Sequence, residues 1–473
     1  MSNLAESVGQ DILRQLPYDP NEQQMDLIAA LAKFTVDADS QSLFLLNGYA
    51  GTGKTSLTGA LVRVITSYGG KAKLLAPTGR AAKVFSLYSG HQAETIHHHI
   101  YQSKRYDPAA MSYGLRHNNL KNAFFIVDEA SMISNAPSEN SVFGTGYLLD
   151  DLITYVYSGE NCRLILLGDS AQLPPVGYSD SPALSSKILS GYGLKVYEMT
   201  LTEVARQRLE SGILHNATEI RKIIVSQLFE PPVIHVSQFP DVEVMTGEFL
   251  AETIESCYAR DGEEETIVVT RSNKRAVMFN QGIRARVLYM EAEICVGDLL
   301  LVAKNNYKWV NENDDQMDFI ANGDVGVVKH IWNYEDLYGL RFADITLEFP
   351  DYNREIELKI ILNALYAETP ALTYEQNEKL YQGVLEDYSD IPSKAARYKK
   401  MKEDPFFNAL QVKFAYSITC HKSQGGQWKN VFIDMGFIPE DAYSNVSFYR
   451  WLYTSFTRAT GKIYLINPPL QTD

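Results

Sequence analysis

Eight consecutive residues, Gly48-Tyr49-Ala50-Gly51-Thr52-Gly53-Lys54-Thr55, constrain this chain more than anything else in it. They follow a short apolar run, Ser42 to Leu46, and precede a helical pattern, so they read as a G-x-x-x-x-G-K-[ST] turn between a buried strand and a helix. Glycines here let the backbone curl until its N–H groups and the helix N-terminus face one hollow, which favours phosphate. Gly48, Gly51, Thr52 and Gly53 are therefore expected to cradle a nucleotide. Lys54 should reach its β and γ oxygens, and the Thr55 hydroxyl should serve Mg²⁺. Such a loop sits at the carboxyl edge of a parallel strand, which commits the chain to an α/β architecture.

The surrounding pattern agrees. Short apolar runs at Ala72 to Leu75, Ala123 to Val127 and Arg163 to Leu167 alternate with helical stretches, as in a parallel sheet wrapped by helices. A second set appears at Thr266 to Val269, Gln411 to Tyr416, Asn430 to Asp434 and Lys462 to Ile466, with helical stretches near Asn273 to Leu288 and Asn445 to Arg458. The expectation is two α/β domains, residues 1–200 and residues 201–295 with 409–473. Residues 296–408 read as an inserted β-rich domain whose arm, Ala367 to Asp404, fits a solvated appendage equally well. A smaller insertion at 101–122 interrupts the first set.

Asp128-Glu129 closes the run Ala123 to Val127, at the edge where ligands bind such sheets. Asp128 is placed to hold Mg²⁺, and Glu129 to take a proton from an attacking water. Gln172, in Gly168-Asp169-Ser170-Ala171-Gln172 after the next strand, is placed to feel the γ-phosphate. The 43 Lys and Arg against 58 Asp and Glu give −15, the wrong sign for coating nucleic acid non-specifically. A groove acts within about 10 Å at physiological salt, so the sum does not exclude a nucleic-acid track. Four scattered cysteines suggest neither zinc ribbon nor disulfide framework, no stretch is long and apolar enough for a membrane, and Met1 to Gln15 lacks a signal-peptide run. A cytoplasmic location without membrane contact is expected. Adjacent His97, His98 and His99 cannot all face one metal ion and fit a DNA-facing loop better, and Cys420 beside His421 is weak ground for a nucleophile.

With these pieces in order the chain resembles the superfamily 1 helicases, in their 5′-to-3′ branch of RecD-like and Dda-like enzymes, from Gln24 to Arg458. Asn21-Glu22-Gln23-Gln24 resembles the adenine-reading motif, with Gln24 or its neighbour Gln23 as reader. Ala76-Pro77-Thr78-Gly79-Arg80-Ala81-Ala82-Lys83 and Thr95-Ile96-His97-His98 resemble motifs that contact single-stranded DNA, implying that Pro77, Thr78, Thr95 and His97 bind the strand. Leu201-Thr202-Glu203-Val204-Ala205-Arg206-Gln207 and Tyr453-Thr454-Ser455-Phe456-Thr457-Arg458 resemble motifs carrying arginines, so Arg206 and Arg458 are implied to act on the γ-phosphate. Ser417-Ile418-Thr419-Cys420-His421-Lys422-Ser423-Gln424-Gly425 resembles the motif touching both ligands, implying Thr419 and His421 at DNA and Gln424 with Gly425 toward ATP.

The resemblance implies two RecA-like P-loop motor domains. The first carries a duplex-splitting pin at about 101–122, where Tyr106 or Tyr113 is positioned to stack on a base. The second carries an SH3-like insertion marked by Asn322-Gly323-Asp324-Val325-Gly326. The implied activity is ATP- and Mg²⁺-dependent movement 5′ to 3′ on single-stranded DNA with unwinding of duplex. Implied partners are single strands, junctions and replication or repair proteins, and the chain is expected to work as a monomer. Two other classes stay open: an RNA-directed or strand-clearing translocase, and an ATPase subunit or switch in a larger complex.

Overall fold

The computed structural model describes the chain except residue 1 and residues 104–112, 138–142, 205–209, 311–316 and 318. Its first half holds β1 (Ser42–Gly48), β2 (Lys71–Ala76), β3 (Ala93–Thr95), β4 (Tyr101–Ser103), β5 (Tyr113–Leu115), β6 (Ala123–Val127), β7 (Arg163–Gly168) and β8 (Lys195–Leu201). Six of these form a parallel sheet in the order β3-β2-β6-β7-β1-β8, and β4 pairs with β5 as a separate antiparallel hairpin. Leu43 to Leu46 and Leu164 to Leu167 are fully buried, because β1 and β7 are covered on both faces. On one face the helices Glu22–Val36 and Lys54–Ser67 pack Leu27, Leu31, Leu57 and Leu61 against Phe44 and Leu46. On the other, Leu148–Ser158 packs Leu149, Leu152 and Val156 against Leu43 and Leu45.

The second half begins with β9 (Val242–Met245) and β10 (Thr266–Thr270), then leaves its sheet to build β11 (Leu299–Val302), β12 (Val325–Leu337), β13 (Leu340–Phe349), β14 (Arg354–Ile361) and β15 (Leu410–Phe414). These five close into a barrel. The chain returns as β16 (Ser417–Thr419), β17 (Trp428–Asp434) and β18 (Ala459–Ile466), completing a parallel sheet in the order β16-β10-β17-β18-β9. The run Gln411 to Tyr416, read from sequence as a strand of this sheet, divides differently. Leu410–Phe414 closes the barrel against β11 and β14, and the sheet strand starts at Ser417. Leu410, Val412 and Phe414 are buried in one core and Ile418 in another, and hydrophobicity alone does not mark the crossing between two cores.

The arm consists of the helices Tyr374–Asp387 and Lys394–Glu403. Leu380, Val384 and Met401 bury against Leu340, Phe342 and Ile361 of the barrel, so of the two sequence readings the packed one holds. No helix among the described residues is long and apolar enough to cross a membrane. The four cysteines are free, and no group of three or more metal-ligating side chains occurs among the described residues.

Candidate functional site

The loop after β1 is shaped by two glycines with left-handed backbone, Gly51 at φ +76° and Gly53 at φ +89°. A β-carbon on Gly48 would lie 2.9 Å from the Lys54 chain, so that glycine is what lets Lys54 fold across the loop. The Lys54 ammonium donates to the carbonyls of Gly48 and Tyr49, the latter at 3.2 Å. Thr52 is buried, with its hydroxyl donating to Tyr49 O at 2.8 Å. Gln24 supports the loop from beneath: its amide donates to Thr52 O at 2.9 Å and accepts from Asn21 N at 3.1 Å. Both ends of that amide are therefore committed to protein partners, and reading adenine would require exchanging them. Gln23 instead ties its helix to the segment after β8, donating to the Thr202 hydroxyl at 2.9 Å and accepting from Thr202 N at 2.9 Å.

Asp128 follows β6 directly, and its Oδ2 lies 3.5 Å from the Thr55 hydroxyl while its Oδ1 accepts from Glu129 N at 2.8 Å. Two hard oxygen donors at the foot of a phosphate loop fit a divalent cation of the magnesium type. Glu129 has φ +52°, a strained backbone for a residue with a β-carbon, of the kind held at functional sites. Burial pushes both carboxyls above their usual range; Lys54 opposes the shift at Asp128, and Arg458 opposes it most at Glu129. Arg458 comes from the second sheet, just after the helix Val446–Phe456, and is buried. Its guanidinium donates to Thr454 O (3.0 Å), Gly426 O (3.1 Å) and the Thr457 hydroxyl (3.2 Å). Gln172 is buried with its carboxamide oxygen lacking a hydrogen-bond partner among the described residues. Arg206 lies outside the described residues.

The seam between the two sheets contains a residue to which the sequence reading gave no role. The Tyr453 hydroxyl donates to Asp169 Oδ2 at 2.6 Å and accepts from Ala50 N at 2.9 Å, joining the phosphate loop to the segment after β7. Burial holds its pKa well above 10, so it stays a donor. Next to it, the Thr454 hydroxyl accepts from Leu173 N at 3.0 Å. The signal was present as Tyr-Thr in the quoted motif, but one sequence does not say which partner each hydroxyl meets. Gln424 and Gly425, expected toward ATP, lie in this seam: Gln424 donates to Leu173 O at 2.7 Å, and a β-carbon on Gly425 would meet Ala81 and Thr78. Their contacts among the described residues are with the segments after β7 and β2 rather than with the phosphate loop. Arg80 stacks over the Trp428 ring at 4.0 Å, a further bridge.

The residues expected at nucleic acid lie along the edges of the two sheets. Pro77 and Thr78 follow β2, and the Thr78 hydroxyl caps the helix Gly79–Ser89 by accepting from Ala81 N at 3.2 Å. Thr95 ends β3 and accepts from His98 N at 3.1 Å. Thr419 ends β16 with no side-chain capping bond, and His421, next but one, is exposed. The histidine run is not a loop but the short helix Ile96–Ile100. His97 lays its ring against Phe143 at 4.9 Å and Tyr101 at 5.7 Å, and burial lowers its pKa to about 4, so it is a neutral packing ring rather than a charge for phosphate. The Cys420 thiol is buried, accepts from the Ser455 hydroxyl at 3.3 Å and is pushed up to about 11, which leaves it inert.

Two parts of the barrel reach the first half. Tyr307 and Phe319 pack with Tyr113 (5.2 and 6.2 Å) and Phe143 (5.6 and 5.2 Å), so Tyr113 belongs to an aromatic cluster at the base of the β4–β5 hairpin; Tyr106 lies outside the described residues. Separately, Lys83 pairs with Asp351 at 2.6 Å, and Tyr352 donates to Asp324 at 3.1 Å so close to Gly79 that a β-carbon there would lie 2.8 Å from the Tyr352 hydroxyl. Lys422 bonds Asn322 in the same turn.

Comparison with known proteins matches residues 20–223 to an AAA domain and residues 414–466 to a UvrD-like helicase C-terminal domain. The ATP-dependent RecD2 DNA helicase of Deinococcus radiodurans is 34% identical over 200 residues, 42% of this chain and 23% of that protein, so the match spans about a quarter of its length. The ATP-dependent DNA helicase Dda of Enterobacteria phage T4 is 24% identical over 453 residues, covering 89% of this chain and 93% of that one. Among solved structures, the Pif1 helicase from Bacteroides in complex with ADP-AlF3 and ssDNA aligns over 95% of this chain and 92% of its own, at 16% identity and a TM-score of 0.45.

Proposed function

We propose that the chain, as a superfamily 1 helicase of the RecD-like and Dda-like branch, hydrolyses ATP to travel 5′ to 3′ along single-stranded DNA and separate duplex. The observation that carries the reading is that one hydrolysis site draws on both sheets. Lys54, Thr55, Asp128 and Glu129 come from the first, and Arg458, the largest influence opposing burial at Glu129, comes from the second. Charge developing on a γ-phosphate then attracts a cation fixed to the other domain, which is the work of an arginine finger. Thr55 and Asp128 would hold Mg²⁺, which would supply positive charge against the phosphates. Glu129, half-buried and with its carboxyl held above the usual range by desolvation, accepts the proton of the attacking water.

Movement follows from the same division. Thr78, Thr95 and Pro77 on one domain and Thr419 and His421 on the other offer hydroxyls, backbone and ring to a strand without reading sequence. Closure on ATP and opening after hydrolysis then advance the two grips alternately. The test is unwinding of a fluorescent duplex bearing a 5′ or a 3′ overhang with ATP and Mg²⁺, beside Lys54→Ala. Separation from the 5′ overhang alone, lost in Lys54→Ala, is expected. Strand-stimulated hydrolysis without separation would reassign the chain as a translocase, and stimulation by RNA alone, or by no strand, would reject the DNA motor.

A further inference from the structure

The outer helix of the arm carries charge that neither the nucleotide site nor the strand grips use. Lys394–Glu403 reads KAARYKKMKE, five cations against one acid, in a chain whose total is −15. Met401 alone is buried. Arg397 is spent inside the arm, donating to Ser389 O (3.2 Å) and Ile391 O (3.0 Å), and Lys400 meets Glu403 at 3.5 Å on the open surface. Lys394 and Lys399 form no ion pair with the described residues, and the Lys402 ammonium rides over the ring of Tyr398 at 4.7 Å. A helix face that is merely solvated usually offsets such a run with acids three or four residues away. Glu403 is the one acid available on this helix.

Position supplies the partner. Asn408, just beyond the helix, donates to Lys402 O and Asp404 O, both at 2.7 Å, and its own carbonyl accepts from Asn306 (2.7 Å) and the Trp309 indole (2.8 Å). Between those two lies Tyr307, packed on Tyr113 of the β4–β5 hairpin. The basic helix is thus joined by a short hydrogen-bonded relay to the base of the hairpin at which strands would part. We infer that Lys394, Lys399, Lys400 and Lys402 contact the phosphates of the duplex arm of a fork, an inference that rests on the helicase reading above. Ten helical residues extend about 15 Å, and Lys399 and Lys402, three positions apart, share one face of that length. Lysines, as flexible point charges, hold a duplex without reading its sequence, as a motor requires.

The test compares Kd values, without ATP, for a 5′-tailed fork, a blunt duplex and a single strand over a KCl series, using Lys394→Ala/Lys399→Ala/Lys400→Ala. Fork and blunt-duplex binding should weaken roughly tenfold at physiological salt, and the salt slope should shrink by about 2.7 for three lost contacts. Single-strand Kd and strand-stimulated ATP hydrolysis should stay as in the parent protein. The Lys→Arg triple variant should keep duplex affinity. Equal losses on all three nucleic acids, or no loss on any, would overturn the inference. So would intact duplex binding with loss of binding to poly-glutamate, which would assign the helix to an acidic protein. Failure of any strand to stimulate ATP hydrolysis in the parent sinks the helicase reading instead, a result separate from these binding arms.

Discussion

Replacing Tyr453 with Phe keeps the ring in its core and removes one hydroxyl that joins three parts of the site. That hydroxyl is buried, donates to Asp169 at 2.6 Å and accepts from Ala50 N at 2.9 Å. Asp169 is 1% exposed and keeps one other partner, Ala171 N at 2.9 Å. A hydrogen bond to a charged buried group contributes about 1.5–3 kcal/mol. Ala50 is half-buried, so water replaces much of what its amide loses. The expected net destabilisation is therefore about 2 kcal/mol, dominated by Asp169. If this bond also transmits strand binding to the phosphate loop, the same energy is missing from the stimulated state, and turnover with single-stranded DNA should fall about 30-fold. ATP affinity should stay within about twofold, because neither Lys54 nor Thr55 touches the hydroxyl. Burial keeps Tyr453 protonated, so the deficit should be flat from about pH 6 to 9. Steady-state hydrolysis with and without the strand, beside a thermal melt, decides it. A lowered Tm with undiminished strand stimulation would refute the coupling argument and leave a structural bond.

Glu129→Gln preserves shape but removes the base, so turnover should drop at least about 100-fold while ATP stays bound; rapid turnover with normal nucleotide release would exclude the role. Arg458→Lys keeps the charge but cannot reproduce three donor bonds while reaching a phosphate, and kcat should fall about 10³-fold with ATP affinity nearly unchanged, measured by steady-state kinetics. Burial raises Asp324 to about 7, so the folded chain holds a proton that the unfolded chain has released above about pH 4. Stability from this group is full below about pH 4 and is lost as pH rises to 7, by at most about 4 kcal/mol. Asp324→Asn keeps one acceptor oxygen for Ala321 N and turns its amide N–H toward the Tyr352 hydroxyl, which then accepts, and it should raise Tm at pH 8 but not at pH 4; an equal shift at both would refute the assignment.

The legible parts of this chain were those whose physics is local. The phosphate loop needs Gly51 and Gly53 at positive φ within a few residues of Lys54, and β1 and β7 need apolar side chains on both faces, so sequence alone exposes them. The edge strand β8 escaped notice because Lys195, Glu198 and Thr200 are exposed and break the apolar run. Gln411 to Tyr416 was assigned to the wrong sheet because two adjoining cores impose the same hydrophobicity. At the site, Asp128 and Glu129 follow their strand as the sequence implied, whereas the protein contacts of Gln24, Gln424 and His97 could not be read from it. An amide or ring that suits a ligand also suits a carbonyl or an aromatic neighbour, and only tertiary contacts such as Thr52 O, Leu173 O and Phe143 decide between them. Tyr453 gained its role from residues more than 280 positions away in sequence.

The bonds between the two halves fall into two energetic groups, and their difference says how the halves can move. Around Asp169 to Leu173 the links are buried: Tyr453 to Asp169, Leu173 N to Thr454, and Gln424 to Leu173 O. Breaking one strands polar groups away from water, at about 1–3 kcal/mol each. The barrel adds a packing link, Tyr307 and Phe319 against Phe143, whereas two ion pairs between the halves are open. Lys83 is 62% exposed in its pair with Asp351, and Asp180 is 76% exposed in its pair with Arg450. Pairs of that kind are worth up to about 1 kcal/mol and exchange readily with water. The cheapest relative motion keeps the buried links intact as a pivot and exchanges the exposed pairs. Gln172 precedes Leu173 in that seam, and the turn Asn322-Gly323-Asp324 sits between Gly79 and Lys422. A rotation about that seam would keep Leu173, Gln424 and Tyr453 in register while the exposed pairs exchange with water, the order of cost that a hinged closure requires.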